Sequence, residues 1–148
     1  MSEIVDILLI EDNPSDVKLA LRAFQKNNLA NNVRVIRDGA EALEYLFGTG
    51  RYEGQADRVR PKVILLDLKL PLVDGHEVLK RIKSDPETKM IPVVIMTSSN
   101  EEKDMVESYQ LGVNSYVQKP VEFEDFIQAV VQLELYWLLV NKVPYTTG

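Results

Sequence analysis

The chain contains no cysteine, which excludes disulfides, thiolate metal sites and cysteine nucleophiles. Its single histidine, His76, excludes an all-histidine metal centre. No apolar run approaches the ~18 residues of a membrane span. The opening stretch MSEIVDILLIED lacks a basic start and turns acidic too early for a secretory signal. The phosphate-cradling patterns GxxxxGK and GxGxxG are both missing. Positive charge is in short supply: 17 Lys and Arg stand against 23 Asp and Glu, a formal net charge of −6 that argues against a nucleic-acid partner. There is no internal repeat or low-complexity tract. The expectation is a soluble cytoplasmic protein with no membrane and no nucleic-acid contact.

What is present is a fivefold alternation of short apolar runs with amphipathic stretches. Residues 5–10 (VDILLI), 33–37 (VRVIR), 62–67 (KVILLD), 92–97 (PVVIMT) and 113–117 (VNSYV) are expected as strands. Asn13-Pro14 supplies a helix cap and a first-turn proline, followed by Val17, Ala20, Leu21 and Phe24 at helical spacing. Asp38-Gly39 opens a short helix carrying Ala42, Leu43 and Leu46, and LKLPLVDG leads into another with Val78, Leu79 and Ile82 inward. Further helices are expected over residues 101–110 and from about 122 to 141. Strands rich in Val, Ile and Leu on both faces, each followed by a helix, predict a parallel sheet covered on both sides. The fold class is therefore α/β: a flavodoxin-like, doubly wound, five-stranded parallel sheet of order 2-1-3-4-5, with helices on both faces. Residues 1–141 are read as one domain with an exposed insertion at 48–61, and 142–148 as a C-terminal extension.

In this architecture ligands bind beyond the carboxyl ends of the strands. The residues there are Glu11 and Asp12, Asp67, Thr97, and Lys119. Three carboxylates on one rim repel one another unless a hard divalent cation intervenes, and oxygen ligands suit Mg²⁺. Asp67 closes an apolar run, so at the strand tip it is rigidly held yet reachable, as a nucleophilic carboxylate must be. Lys119, before Pro120, can pair with that carboxylate or with a phosphoryl oxygen. Taken singly, each residue has a plainer role: Glu11 or Asp12 as a helix cap, Asp67 as a turn former, Thr97 as a cap, Lys119 as a solvated cation, Tyr116 as core packing.

Taken together, Glu11-Asp12, Asp67 within LLDLKLP, Asp74-Gly75, Thr97-Ser98 and Lys119-Pro120 resemble the receiver domain of two-component response regulators over residues 4–138. The resemblance implies that Asp67 is the phosphorylated aspartate. It implies Mg²⁺ held by Glu11, Asp12, Asp67 and the main-chain carbonyl of Lys69. It also implies phosphoryl oxygens bound by Lys119 and Thr97, and Tyr116 as an aromatic that changes rotamer when Thr97 moves. Such a protein is not an enzyme in the ordinary sense, catalysing only its own phosphorylation and dephosphorylation. GRYEG in the insertion and YWLLVNKVP near the C-terminus look like the single-domain regulators of bacterial phytochrome histidine kinases, which implies such a sensor kinase as partner. Lys69 and Leu72 place a cation and an apolar group beside the acceptor.

The last expected helix is apolar nearly all round. Phe126, Val130, Leu133 and Trp137 form one stripe, and Ile127, Val131, Leu135, Leu138 and Leu139 lie on other faces. Such a helix is normally covered on more than one side, so a homodimer through this helix and residues 137–144 is expected; the alternative is that residues 142–148 fold back over it. The chain reads as a stand-alone regulator whose output is a protein contact or onward relay. Two rivals are a small phosphohydrolase, whose usual second aspartate is replaced here by Lys69, and a nucleotide- or flavin-binding module.

Overall fold

A computed structural model describes residues 7–26, 32–54, 61–97 and 115–118, the side chains of residues 23, 26, 97 and 115–118 excepted. The elements are β1 (Ile7–Ile10), α1 (Pro14–Lys26), β2 (Val33–Ile36), α2 (Gly39–Phe47), β3 (Val63–Asp67), α3 (Gly75–Ser84), β4 (Val93–Thr97) and β5 (Ser115–Gln118). The helices expected at 101–110 and 122–141 lie outside the described residues. All neighbouring strands are parallel, in the order β2-β1-β3-β4-β5, as the apolar runs predict.

The topology assigns the helices to layers. β1 steps to β2 in one direction, whereas β2 to β3 and β3 to β4 run in the other. Right-handed crossovers therefore put α1 on one face and α2 and α3 on the opposite one. Side-chain burial agrees. Leu8, Ile10, Ile64, Leu66, Val93 and Ile95 form one cluster with Ala42 and Leu46 of α2 and Val78, Leu79 and Ile82 of α3. The alternate strand residues Ile7, Leu9, Val63 and Leu65, also buried, point to the other face, where α1 turns in Val17, Ala20 and Phe24.

Within the expected exposed insertion at 48–61, Thr49, Gly50, Arg51, Glu53 and Gly54 are exposed and one residue turns inward; residues 55–60 lie outside the described residues. A short 3₁₀ turn at Gly50–Tyr52 folds back onto α2, and Tyr52 is only 7% exposed, a member of the core cluster. Its ring meets Tyr45 edge-on at 5.2 Å, and the Arg34 guanidinium lies 4.9 Å and 5.4 Å from the two ring centroids. Arg34 Nη2 donates to the Tyr52 hydroxyl at 3.0 Å, and that hydroxyl donates to Glu41 Oε2 at 2.6 Å. The segment is polar in composition, but one aromatic anchors it.

Removing that hydroxyl leaves Arg34 and Glu41 short of a partner atom in a half-buried place. Tyr52→Phe is expected to cost about 1–3 kcal/mol, read as a lower melting temperature. Burial first, and then the bond to Glu41, raise the phenol's pKa above its ordinary 10.0, with Arg34 opposing. The folded state thus holds this proton more tightly than the unfolded state. Its contribution is complete below pH 10 and is lost as pH rises through the folded value. Alkaline melts of the Phe variant should lack that loss.

The loop between β3 and α3 is tied down at both ends. Gly75 N donates to the Leu68 carbonyl at 2.9 Å, closing its neck, and Gly39 N, opening α2, donates to the Pro71 carbonyl at 3.2 Å. Two glycines make these approaches possible. A Cβ on Gly39 would run into the Val73 carbonyl, whose carbon lies 2.7 Å away; one on Gly75 would meet the Asp67 carbonyl oxygen and sit 2.5 Å from Leu68 Cα. Between the ties, Val73 N donates to the Pro71 carbonyl at 2.8 Å across Leu72, whose φ is 70°. This is a γ turn of the rarer hand.

Candidate functional site

Strand register brings the acidic residues together. Ile10 lies beside Leu66, so the next residues, Glu11 and Asp67, leave the sheet side by side. Asp67 pairs across with Met96, so Thr97 stands one step further along β4, itself beside Gln118 of β5. Parallel strands all deliver their last residues to the same edge, which is why residues far apart in sequence share one rim.

Glu11 is 1% and Asp67 5% exposed, whereas Asp12 is exposed. One carboxylate oxygen from each of the three lies within 4.8 Å of the others. Backbone donors orient two of them: Asn13 N to Glu11 Oε2 and Lys69 N to Asp67 Oδ1, both at 3.1 Å. Asn13 is itself the cap of α1, its Oδ1 accepting from Ser15 N at 2.9 Å and Asp16 N at 3.1 Å. Capping therefore falls to Asn13, and Glu11 and Asp12 remain on the rim. At 4.8 Å two unit charges repel by roughly 3 kcal/mol at an effective dielectric constant of 20, and here three such pairs coexist.

This donor set fits a hard divalent cation. Three carboxylates and no nitrogen or sulfur ligand match the preference of Mg²⁺ and Mn²⁺ for oxygen. Mg–O distances of about 2.0–2.1 Å put ligands on one ion roughly 3–4 Å apart, so a spread within 4.8 Å needs only small side-chain adjustments. Added Mg²⁺ is expected to raise the melting temperature, by about 2.7 kcal/mol of stability at a hundredfold excess over Kd. Asp12→Asn should weaken that response at least tenfold in Mg²⁺ concentration. Without the metal it should be the more stable protein, because one repelling charge is gone. A wild-type melt indifferent to millimolar Mg²⁺ would count against the centre.

The remaining predicted residues are placed only in part. Thr97 closes β4, and Tyr116 lies inside β5 opposite Ile95, while their side chains fall outside the description. Lys119, and Phe126, Val130, Leu133 and Trp137 of the expected last helix, lie outside the described residues altogether. Lys69 is exposed, with its amide turned to Asp67. Sequence reasoning named Asp38-Gly39 and Asp74-Gly75 but not the close packing of the two glycines against the acceptor loop. Their signal was the repeated Asp-Gly pair: Asp38 and Asp74 each cap a helix, through Glu41 N at 2.6 Å and His76 N at 3.3 Å, and the following glycine is the helix's first residue. Asp74 Oδ2 also bonds His76 Nδ1 at 2.9 Å.

The first and third strands of this parallel sheet thus deliver three clustered carboxylates to one edge, two of them buried. The sequence matches the response regulator receiver domain family over residues 7–131, and the chain belongs to that family. It is similar to the bacteriophytochrome response regulator AtBRR, with 53% identity and a TM-score of 0.82 over 95% of this chain and 99% of that one. The probable methanogenesis regulatory protein FilR2 of Methanothrix harundinacea is 42% identical over 93% of this chain and 86% of its own. Response regulator Rcp1 of Synechocystis is 39% identical over 93% of this chain and 92% of its own. The structure of its manganese-bound form aligns with a TM-score of 0.75 at 38% identity, over 95% of this chain and 99% of that one. No helix among the described residues is long and apolar enough to cross a membrane.

Proposed function

We propose that Asp67 accepts a phosphoryl group from a phosphohistidine of a sensor histidine kinase, in a reaction that depends on Mg²⁺. The carrying observation is the placement of Asp67: buried at the tip of β3, held by the Lys69 amide, and within 4.8 Å of Glu11 and Asp12. A carboxylate oxygen of Asp67 attacks phosphorus, the P–N bond breaks, and its electron pair returns to the imidazole nitrogen. Glu11, Asp12, Asp67 and the Lys69 carbonyl would hold Mg²⁺, which when bound neutralises charge on the phosphoryl oxygens. The Lys69 amide fixes the carboxylate's rotamer before the donor arrives. Lys119 and the Thr97 hydroxyl bind the transferred oxygens, and Tyr116 follows Thr97 inward. The protein catalyses only its own phosphorylation and dephosphorylation, in the cytoplasm, and hands on the signal by protein contact or relay.

The likeness to the bacteriophytochrome response regulator AtBRR supports a bacterial phytochrome kinase as donor, and the apolar stripe of Phe126, Val130, Leu133 and Trp137 in the sequence supports a homodimer. Residues 1–141 form the receiver and 142–148 its extension. Phosphotransfer from a panel of histidine kinases including bacteriophytochromes, followed by borohydride reduction and peptide mapping, tests the reading. Label on Asp67 from a phytochrome kinase is expected. Label on another residue, or none from any donor, refutes the acceptor assignment.

A further inference from the structure

We infer that Leu72 is an apolar anchor for the phosphodonor protein, contacting it beside the histidine that delivers the phosphoryl group to Asp67. The inference rests on the reading of Asp67 as acceptor and adds a residue that decides which protein can serve as donor.

Three observations carry it. Leu72 is 80% exposed, although Leu70 and Val73 on either side pack against the core cluster. The loop turns two apolar side chains inward and projects the third. Leu72 also occupies φ 70°, a conformation that L-residues with a Cβ avoid and that glycine or asparagine adopts readily. A leucine that is both strained and solvated gains nothing for the fold of its own chain, and such outliers concentrate at sites of function. Finally, the turn that holds it is pre-organised, closed by Val73 N to the Pro71 carbonyl and moored by Gly39 N to the same oxygen. A side chain presented this way loses little freedom on binding.

Position supplies the occupant. Leu72 lies on the loop from Asp67 to Gly75, whose neck closes at Leu68, so it projects from the carboxyl edge of the sheet where the acidic rim opens. Met90, equally exposed, precedes β4 and so belongs to the opposite edge. A protein bringing a phosphohistidine to Asp67 must lay the surface around that histidine across the carboxyl edge. Small phosphodonors need no such cover. The acidic rim repels an anionic phosphoryl donor, so an uncharged contact next to it supplies affinity without adding to that repulsion.

The two donor types separate the effects. Leu72→Asn keeps a residue at ease at positive φ but removes the apolar surface, and Leu72→Met keeps the surface. Wild type and both variants are phosphorylated with acetyl phosphate, and with whichever autophosphorylated kinase in a bacteriophytochrome panel labels wild type fastest. The expected result for Leu72→Asn is an unchanged rate with acetyl phosphate and a roughly ten- to hundredfold fall in kcat/KM with the kinase, insensitive to salt. Leu72→Met should recover most of that fall. Equal loss with both donors would overturn the inference, since Leu72 would then act through the acceptor loop. So would a wild-type rate of Leu72→Asn with the kinase, or a change in its sedimentation coefficient, which would assign Leu72 to contact between copies of this chain. Failure of wild type to label with either donor would instead strike at Asp67 as acceptor.

Discussion

Asp67→Asn will take up no acid-labile phosphate from acetyl phosphate or from a kinase, while remaining folded. An amide oxygen carries no full charge and is a far weaker nucleophile than a carboxylate, so phosphoryl transfer should fall to background, at least a thousandfold below wild type, in line with the effect of deleting an enzymic nucleophile. The fold should be indifferent or gain. The asparagine Oδ1 can accept the same hydrogen bond from Lys69 N that Asp67 Oδ1 accepts at 3.1 Å. Removing one charge from three carboxylates within 4.8 Å also relieves two of the three repulsive pairs. The variant should therefore melt at or above the wild-type temperature in the absence of metal, and its stabilisation by Mg²⁺ should shrink because one anionic ligand is gone. The two readouts move in opposite directions, which separates a lost nucleophile from a lost fold. Normal labelling of the variant would be fatal to the assignment.

The rim was legible in the sequence because a charge inside a parallel sheet is so unfavourable that an apolar run ending in one marks its own boundary. ILLI before Glu11 and VILLD ending at Asp67 both obey this rule, and the strands fall within a residue or two of their expected ends. Asn13, Asp38 and Asp74 marked helix starts for an equally local reason, the need of the first amides for acceptors. Tyr52 was not legible. Its neighbours are polar and glycine-rich, and its burial depends on Arg34 and Glu41, 18 and 11 residues away. Nor could the pattern LKLPLVDG reveal that Leu72 points outward at positive φ, since alternation predicts nothing inside a tight turn. Tyr52 escaped because its partners are distant in sequence, and Leu72 because the geometry of a tight turn is not written in hydrophobic alternation.

The same reasoning gives Gly75→Ala an effect beyond stability. In most helices alanine is favoured over glycine by up to ~1 kcal/mol, and a substitution in the first turn of α3 would ordinarily be mild. Here the added methyl would collide with the Asp67 carbonyl and the Leu68 backbone, which belong to the end of β3 and cannot yield as a flexible side chain would. Either α3 shifts away, stretching the 2.9 Å bond from Gly75 N to the Leu68 carbonyl, or the strand end shifts. Overpacking of this kind costs about 1–3 kcal/mol, sometimes more, and thermal melts should show it. The larger consequence falls on chemistry. The displaced backbone carries the acceptor carboxylate, and an ångström of misplacement can cost on the order of a hundredfold in rate. Gly75→Ala should thus slow labelling by acetyl phosphate by that order even well below its melting temperature. Gly39→Ala is the control: its methyl meets Val73 and not Asp67, so it should lose comparable stability with a much smaller loss of rate. If the two variants lose rate in proportion to their stability alone, α3 supports the fold but does not hold the acceptor in place.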